Sequence, residues 1–272
     1  MSVQSRVSPH ESPVCQKGLC VISVENEGVG VLNSGDPVSL CADVAARWHG
    51  SWLDALGVPN ARDHAAWRAL EPPPRIYFAG IALRPDTEPM ALVGAPGAVC
   101  DPWQELDLSF DGRRVWRREP WFFRPAGPIE GSPPPELDLV TVSTAEEVSD
   151  FEAVSVRGFG NEDDRVVPGT YHPPAVLADE AMTMFVGRVD GRPVAAATGY
   201  RTEHVVGVFG VTTIASARRR GYGTAVTRAA LLVDADLPAI LAPSPEAVNM
   251  YTRLGFDRVG ELSIWIKADP VP

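Results

Sequence analysis

The 272-residue chain has no run approaching the roughly 20 apolar residues that cross a bilayer, and its opening MSVQSRVSPHESPVCQKGLC lacks the apolar centre of a secretion signal. No membrane partner is expected, and the expected location is cytoplasmic. Cysteine is sparse. Cys15, Cys20, Cys41 and Cys100 are too few for a disulfide scaffold and lack the paired spacing of zinc ligands, so reduced, packed thiols are expected. His10, His49, His64, His172 and His204 include no HExxH and no pair at helical ligand spacing, which leaves no metal site indicated. Basic charge is short as well: 24 Lys and Arg against 35 Asp and Glu give a formal charge of -11. Neutralising phosphates needs basic surface, so a nucleic-acid partner is not expected and a cationic small molecule suits the chain better.

What is present describes a folded protein. Hydrophobic residues make up 45% and charged residues 22%, and the length allows one large or two medium domains. The seam is RPAGPIEGSPPPE, residues 124–136, where proline and glycine crowd out any hydrophobic period. It divides an N-terminal domain, 1–134, from a C-terminal domain, 135–272. In the second, LDLVTV alternates like a strand, and Thr144 with Glu147 forms the capping box that starts a helix. Asp190-Gly191 marks a hairpin turn between two strand-like runs. An apolar strand over 205–213, a helix, a strand at AILAP, a helix at EAVNMYTRLG and a strand near ELSIWIK follow. This is an α/β pattern with a mixed central sheet. The N-terminal domain reads as a less regular α/β or α+β unit. Val38, Cys41, Val44, Ala45, Trp48 and Trp52 fall on one side of a helix, RIYFAGIAL reads as a buried strand, and no chemistry is assigned to it.

The densest positive patch of this acidic chain stands at a turn, in GVTTIASARRRGYGTA. A helix that follows a strand leaves its first N–H groups unpartnered and carries about half a positive charge at that end. Gly221 and Gly223 clear the approach for a diphosphate, and Arg218, Arg219 and Arg220 add charge. A P-loop needs lysine then Ser or Thr after the last glycine, and here Thr224 and Ala225 follow Gly223. The dinucleotide fingerprint needs a small residue where Val226 stands.

RRRGYG resembles R/Q-x-x-G-x-G/A, the pyrophosphate loop of the Gcn5-related N-acetyltransferase (GNAT) superfamily, with Arg218, Gly221 and Gly223 at its defining positions. PEAVNMYTRLGF resembles the same superfamily's later helix. The resemblance spans roughly residues 137–272 and implies a GNAT-type mixed sheet there; a tandem arrangement would make residues 1–134 a degenerate GNAT-like domain without the loop. It implies acetyl-CoA as cosubstrate, held by Val211, Thr212, Thr213, Ile214, Arg218, Arg219, Arg220, Gly221, Tyr222, Gly223, Thr224 and Asn249. Tyr251 is implied as the acid that protonates the departing thiolate. Relatives often place a carboxylate base on the strand before the loop; Val205 to Val211 contains none, and Glu203 and His204 at its start are the nearest titratable residues. Trp116, Trp121, Phe122 and Phe123 are read as a domain interface, with an acceptor pocket as the alternative. The expected activity is acetyl transfer to a small, cationic primary amine or an exposed protein amine. The alternative is a noncatalytic acyl-CoA sensor or partner-binding protein on the same fold; a homodimer is compatible with either.

Overall fold

Thr144 caps the first helix of the C-terminal half as its sequence demands: its hydroxyl accepts from the Glu147 N–H, and the Glu147 carboxylate accepts from the Thr144 N–H. A computed structural model describes residues 36–267; Cys15, Cys20 and His10 lie outside the described residues. The elements run α1 (Pro37–Ala55), β1 (Asn60–Arg62), β2 (Ala66–Ala69), β3 (Gly80–Ala82), β4 (Val99–Asp101), β5 (Arg113–Arg124), β6 (Asp138–Thr141), α2 (Ala145–Phe159) and β7 (Met182–Val189). They continue through β8 (Arg192–Arg201), β9 (Val206–Thr213), α3 (Tyr222–Leu231), β10 (Ala239–Leu241), α4 (Val248–Arg253) and β11 (Asp257–Lys267). The fold is α/β with one mixed sheet, in the order β1-β2-β3-β4-β11-β5-β10-β9-β8-β7-β6. Two neighbouring pairs are parallel, β3 with β4 and β9 with β10.

Alternation along the strands assigns each side chain to one of two cores. Met184, Val186 and Ala196 join Trp52 and Leu53 of α1 and Val148, Phe151 and Val154 of α2. Phe185, Ala195, Ala197 and Val208 join Tyr222, Val226 and Ala230 of α3. Helices therefore cover both faces of the sheet, and Cys41 and Cys100 are buried free thiols. Asp190 (φ 49°) and Gly191 (φ 75°) form the expected hairpin turn between β7 and β8.

The N-terminal half departs from its sequence reading at one expected strand and adds a second to which the sequence reading gave no element. Only Gly80–Ala82 of RIYFAGIAL is strand, because the prolines before it close a turn in which the Tyr77 N–H donates to the Pro74 carbonyl. VWRREPWFFR, in contrast, lies within a 12-residue strand despite Pro120. That proline is tolerated because β10 pairs with β5 only at Phe122–Arg124, so the edge at residues 119–120 has β11 as its one neighbour. β5 lies between β10 and β11, and β11 also pairs with β4. Described residues on either side of the boundary expected at residue 134 therefore contribute strands to one sheet.

Candidate active site

Strand β9 is paired on both edges at its start and on one edge at its end. β10 runs parallel to it only at Val206 and Gly207. Along β8, Ala196 lies opposite Thr212 and Thr198 opposite Phe209, so β9 carries one extra residue in this interval. That bulge contains Gly210, whose φ of +61° suits glycine and turns backbone groups out of the ladder. Beyond Gly207 the two strands part, leaving the outward edge of β9 without a strand.

Of the backbone donors expected here, that of Ile214 is already used: its N–H donates to the Val194 carbonyl at 3.0 Å. Alternation in the ladder then directs the Thr213 N–H to the opposite, open edge. Val211 lines the opening, and Thr212 is buried against the close-packed Gly158.

The arginine turn follows directly. A single 3-10 turn, Ala215–Ala217, is tied to the loop after α2 by the Ser216 N–H donating to Glu162 at 2.9 Å. Arg218 folds back onto the protein, its Nε donating to the Thr213 carbonyl at 3.0 Å and Nη2 to the Gly158 carbonyl at 2.8 Å. It is thus a brace for the turn as well as a local charge. Arg219 and Arg220 are exposed. Arg219 (φ +65°) and Gly221 (φ +86°) take left-handed backbone, which swings the chain into α3. The first bond of that helix runs from the Ala225 N–H to the Gly221 carbonyl. Among the described residues no protein acceptor is assigned to the N–H groups of residues 219 to 224. Such a row at a positive helix end is a cradle for an anion. A Cβ added at Gly223 would stand 3.4 Å from Thr213 Oγ1 and 3.7 Å from Met250 Sδ, filling the space between turn and open strand edge.

Other expected ligand residues are placed differently. Tyr222 is buried and donates its hydroxyl to Glu136 at 2.9 Å, which fastens the 124–136 segment to α3. Thr224 is half-buried on the first turn of α3, and Asn249 is exposed on α4.

Where β9 and β10 part, a pocket of about 180 Å³ opens between Val208–Val211 on one side and Ala242–Ser244 on the other. Tyr251 reaches it from α4 and is 5% exposed. Burial pushes its phenol well above the ordinary tyrosine range, with a hydrogen bond from Thr227 opposing. Glu203 and His204 are exposed in the turn before β9, at the end opposite the arginine turn, and line no part of this pocket.

The sequence reading offered a pocket wall from before residue 124 only as the alternative for Trp121 and its aromatic neighbours, and did not assign His49, Phe78 or Glu119 to it. His49 of α1, Phe78, and Glu119 and Trp121 of β5 all line the pocket. The His49 Nδ1 accepts from the Phe78 N–H at 3.3 Å, and burial lowers the imidazole to about 3, so the ring is neutral with its proton on Nε2. The Glu119 side chain is 16% exposed and pairs with Arg117 Nη2 at 2.7 Å. Burial raises its carboxyl above the usual range, and the Arg117 charge opposes that. Of the four aromatics read from this segment, Trp121 faces the pocket, Phe122 belongs to the α3-side core, Phe123 packs against the other core, and Trp116 is exposed with Arg117 above its ring. The available signal was alternation in VWRREPWFFR, masked by Pro120.

Comparison with known proteins gives the same assignment for the C-terminal half. Residues 150–256 match the family model described as "Acetyltransferase (GNAT) family". The fold is similar to that of a GCN5-related N-acetyltransferase from Kribbella flavida, at 21% identity and TM-score 0.58, over 83% of this chain and 96% of that one. A GNAT-family structure from Novosphingobium aromaticivorans aligns at 19% identity and TM-score 0.54, over 80% and 97%. A conserved protein of unknown function from Staphylococcus epidermidis aligns at 14% and 0.50, over 79% and 96%. The shared fold thus extends well beyond residues 150–256. No curated protein sequence matches the chain. Among the described residues no helix is long and apolar enough to cross a membrane.

Proposed function

We propose, from the match of residues 150–256 to the acetyltransferase (GNAT) family model, that the protein is an acetyl-CoA-dependent N-acetyltransferase acting in the cytoplasm on a primary amine. The observation that carries this reading is the row of free N–H groups from residue 219 to 224, at the start of α3 and beside the unpaired edge of β9. The amides of the turn, with Arg219 and Arg220, would hold the diphosphate of the coenzyme. The open edge at Val211 and Thr213 would hold its amide-bearing arm, as an added strand holds a sheet edge. When bound, the coenzyme supplies a thioester whose carbonyl carbon accepts the amine.

The chain's own groups then divide the work. Backbone N–H groups freed by the Gly210 bulge meet the charge that develops on the carbonyl oxygen, and fixed donors of this kind supply the largest electrostatic contribution in acyl transfer. Tyr251 gives its proton to sulfur as the C–S bond breaks. Its burial keeps the phenol protonated until a strong base forms beside it. Isothermal titration with acetyl-CoA and an assay for free thiol over a panel of amines test the reading together. Absence of both heat and thermal shift at millimolar coenzyme refutes it. Binding with no thiol released for any amine favours the acyl-CoA sensor instead.

A further inference from the structure

The pocket has two walls of different origin. Its coenzyme side comes from β9 and α4, within residues 150–256. The facing wall comes from α1, the Phe78 loop and β5, all outside that span. We propose that Glu119 of β5 is the catalytic carboxylate that receives the acceptor amine, and that the acceptor is a compact, singly charged primary ammonium on an apolar body. This rests on the acetyltransferase reading above.

The lining supports the first half of the proposal. Among the described residues Glu119 is its one charged side chain. The groups facing it are few. Arg117 comes from its own strand, His49 from α1 and Tyr251 from α4, while β11 sets the apolar Leu262 opposite it. The buried Cys100 thiol on β4 is raised partly by the Glu119 charge. His49 and Tyr251 are neutral, so the one negative charge that the described lining offers an entering cation is that of Glu119, shared with its Arg117 partner. Position agrees with charge, because β5 has no second neighbour at residues 119–120 and its free edge faces the gap where β9 and β10 part.

Size and surface define the acceptor. The volume, about 180 Å³, is below the ~300–1,000 Å³ typical of drug-sized ligand sites. Phe78, Trp121, Phe159 and Phe209 supply aromatic walls. A polyamine would leave further ammonium groups unpaired there; an arylalkyl or short alkyl ammonium would not.

The proton balance closes. Glu119 takes one proton from R–NH3+, giving R–NH2 and a neutral carboxyl. The nitrogen lone pair forms the C–N bond, and the C–S bond breaks with its electron pair on sulfur, which takes the Tyr251 proton. The proton then shed by nitrogen restores the Tyr251 phenol. Glu119 releases its proton to solvent, so each turnover yields one amide, one thiol and one proton.

The test compares wild type, Glu119→Gln, Glu119→Asp and Arg117→Gln, using phenethylamine, hexylamine, spermidine and a lysine-containing peptide. Each is read by thiol release from pH 5.5 to 9.5, by acetyl-CoA titration, and by phenethylamine titration of CoA-saturated protein. Expected for Glu119→Gln are about 100-fold lower turnover at pH 7, recovery as pH rises and the amine deprotonates unaided, acetyl-CoA affinity within threefold of wild type, and loss of phenethylamine binding. Glu119→Asp should recover part of the rate. Arg117→Gln should move the acidic limb of the rate profile to higher pH, because removing the neighbouring cation makes the carboxylate harder to form. Phenethylamine and hexylamine should outperform spermidine and the peptide. Glu119→Gln with more than a third of wild-type turnover and unchanged coenzyme affinity overturns the role of Glu119 while the acetyltransferase reading stands. So does a wild type that binds acetyl-CoA but neither binds nor acetylates any amine. A wild type that binds no acetyl-CoA overturns both, and preference for spermidine or the peptide overturns the acceptor class alone.

Discussion

The two ends of β9 are built from the same kind of small and β-branched residues, yet they do different things. At Val206 and Gly207 the strand has β8 on one edge and β10 on the other, and its backbone groups are spent on the sheet. At Gly210–Thr213 it keeps β8 and loses β10, a bulge intervenes, and the chain runs on into a turn whose N–H groups have no protein acceptor among the described residues. The titratable pair at the closed end, Glu203 and His204, is exposed and faces no pocket. The carboxylate at the open end, Glu119, comes from a strand more than 80 positions earlier in the chain. Chemistry in this fold is placed where pairing stops.

Perturbing the open end should have the largest effect. Gly221→Val forces a β-branched residue into a φ of +86° and sets its side chain against Pro134, which distorts the turn that carries the free amides. Loss of two hydrogen bonds to a charged group, about 1.5–3 kcal/mol each, should raise the Kd for acetyl-CoA by roughly 10²- to 10⁴-fold in a calorimetric titration. Unchanged affinity would show that the turn is not the coenzyme cradle. Tyr251→Phe should be next, lowering kcat about 100-fold while the Kd for acetyl-CoA stays within a factor of about three. Equal losses of binding and rate would make Tyr251 a packing residue.

The buried histidines beside this end predict a pH dependence of stability. In the folded chain burial holds His49 and His172 at about 3, against about 6.5 in the unfolded chain. Above pH 6.5 both states are neutral and stability is unaffected. As pH falls below 6.5 the unfolded chain takes up protons that the native one refuses, so stability is lost down to about pH 3. Between pH 7.5 and 5.5 each residue should cost on the order of 1 kcal/mol. The raised carboxyls of Glu119 and Asp101 act in the opposite sense, which makes a difference measurement the right one. His172 packs edge-on against Trp52 and its Nδ1 has no hydrogen-bond partner among the described residues, so phenylalanine should be accommodated. In urea melts, His172→Phe should weaken the pH dependence by on the order of 1 kcal/mol over that interval; an unchanged slope would contradict a neutral buried ring. The smallest effect belongs to the closed end. Glu203→Gln combined with His204→Ala should leave kcat/KM within twofold, and a tenfold loss would return the base to that end.

Much of the C-terminal half was legible because its signals are local. Thr144 with Glu147, Asp190-Gly191 and RRRGYG each state their geometry within a few residues. The arginine turn and Tyr251 belong to that class. The pocket wall opposite them does not. His49, Phe78 and Glu119 carry no shared spacing, Pro120 disguises a central strand as a loop, and nothing local says that β11 will enter the sheet between β4 and β5.

The sequence by itself determined where helices begin, where the chain turns, and that a positive, glycine-cleared turn stands before α3, because caps, hairpins and helix ends depend on residues within one or two turns of one another. The tertiary structure alone decided which carboxylate meets Tyr251 and how large a guest fits beside it. Those depend on which strands fail to pair, and the pairing of residues 122–124 with 239–241 is a long-range contact whose partners share no local pattern.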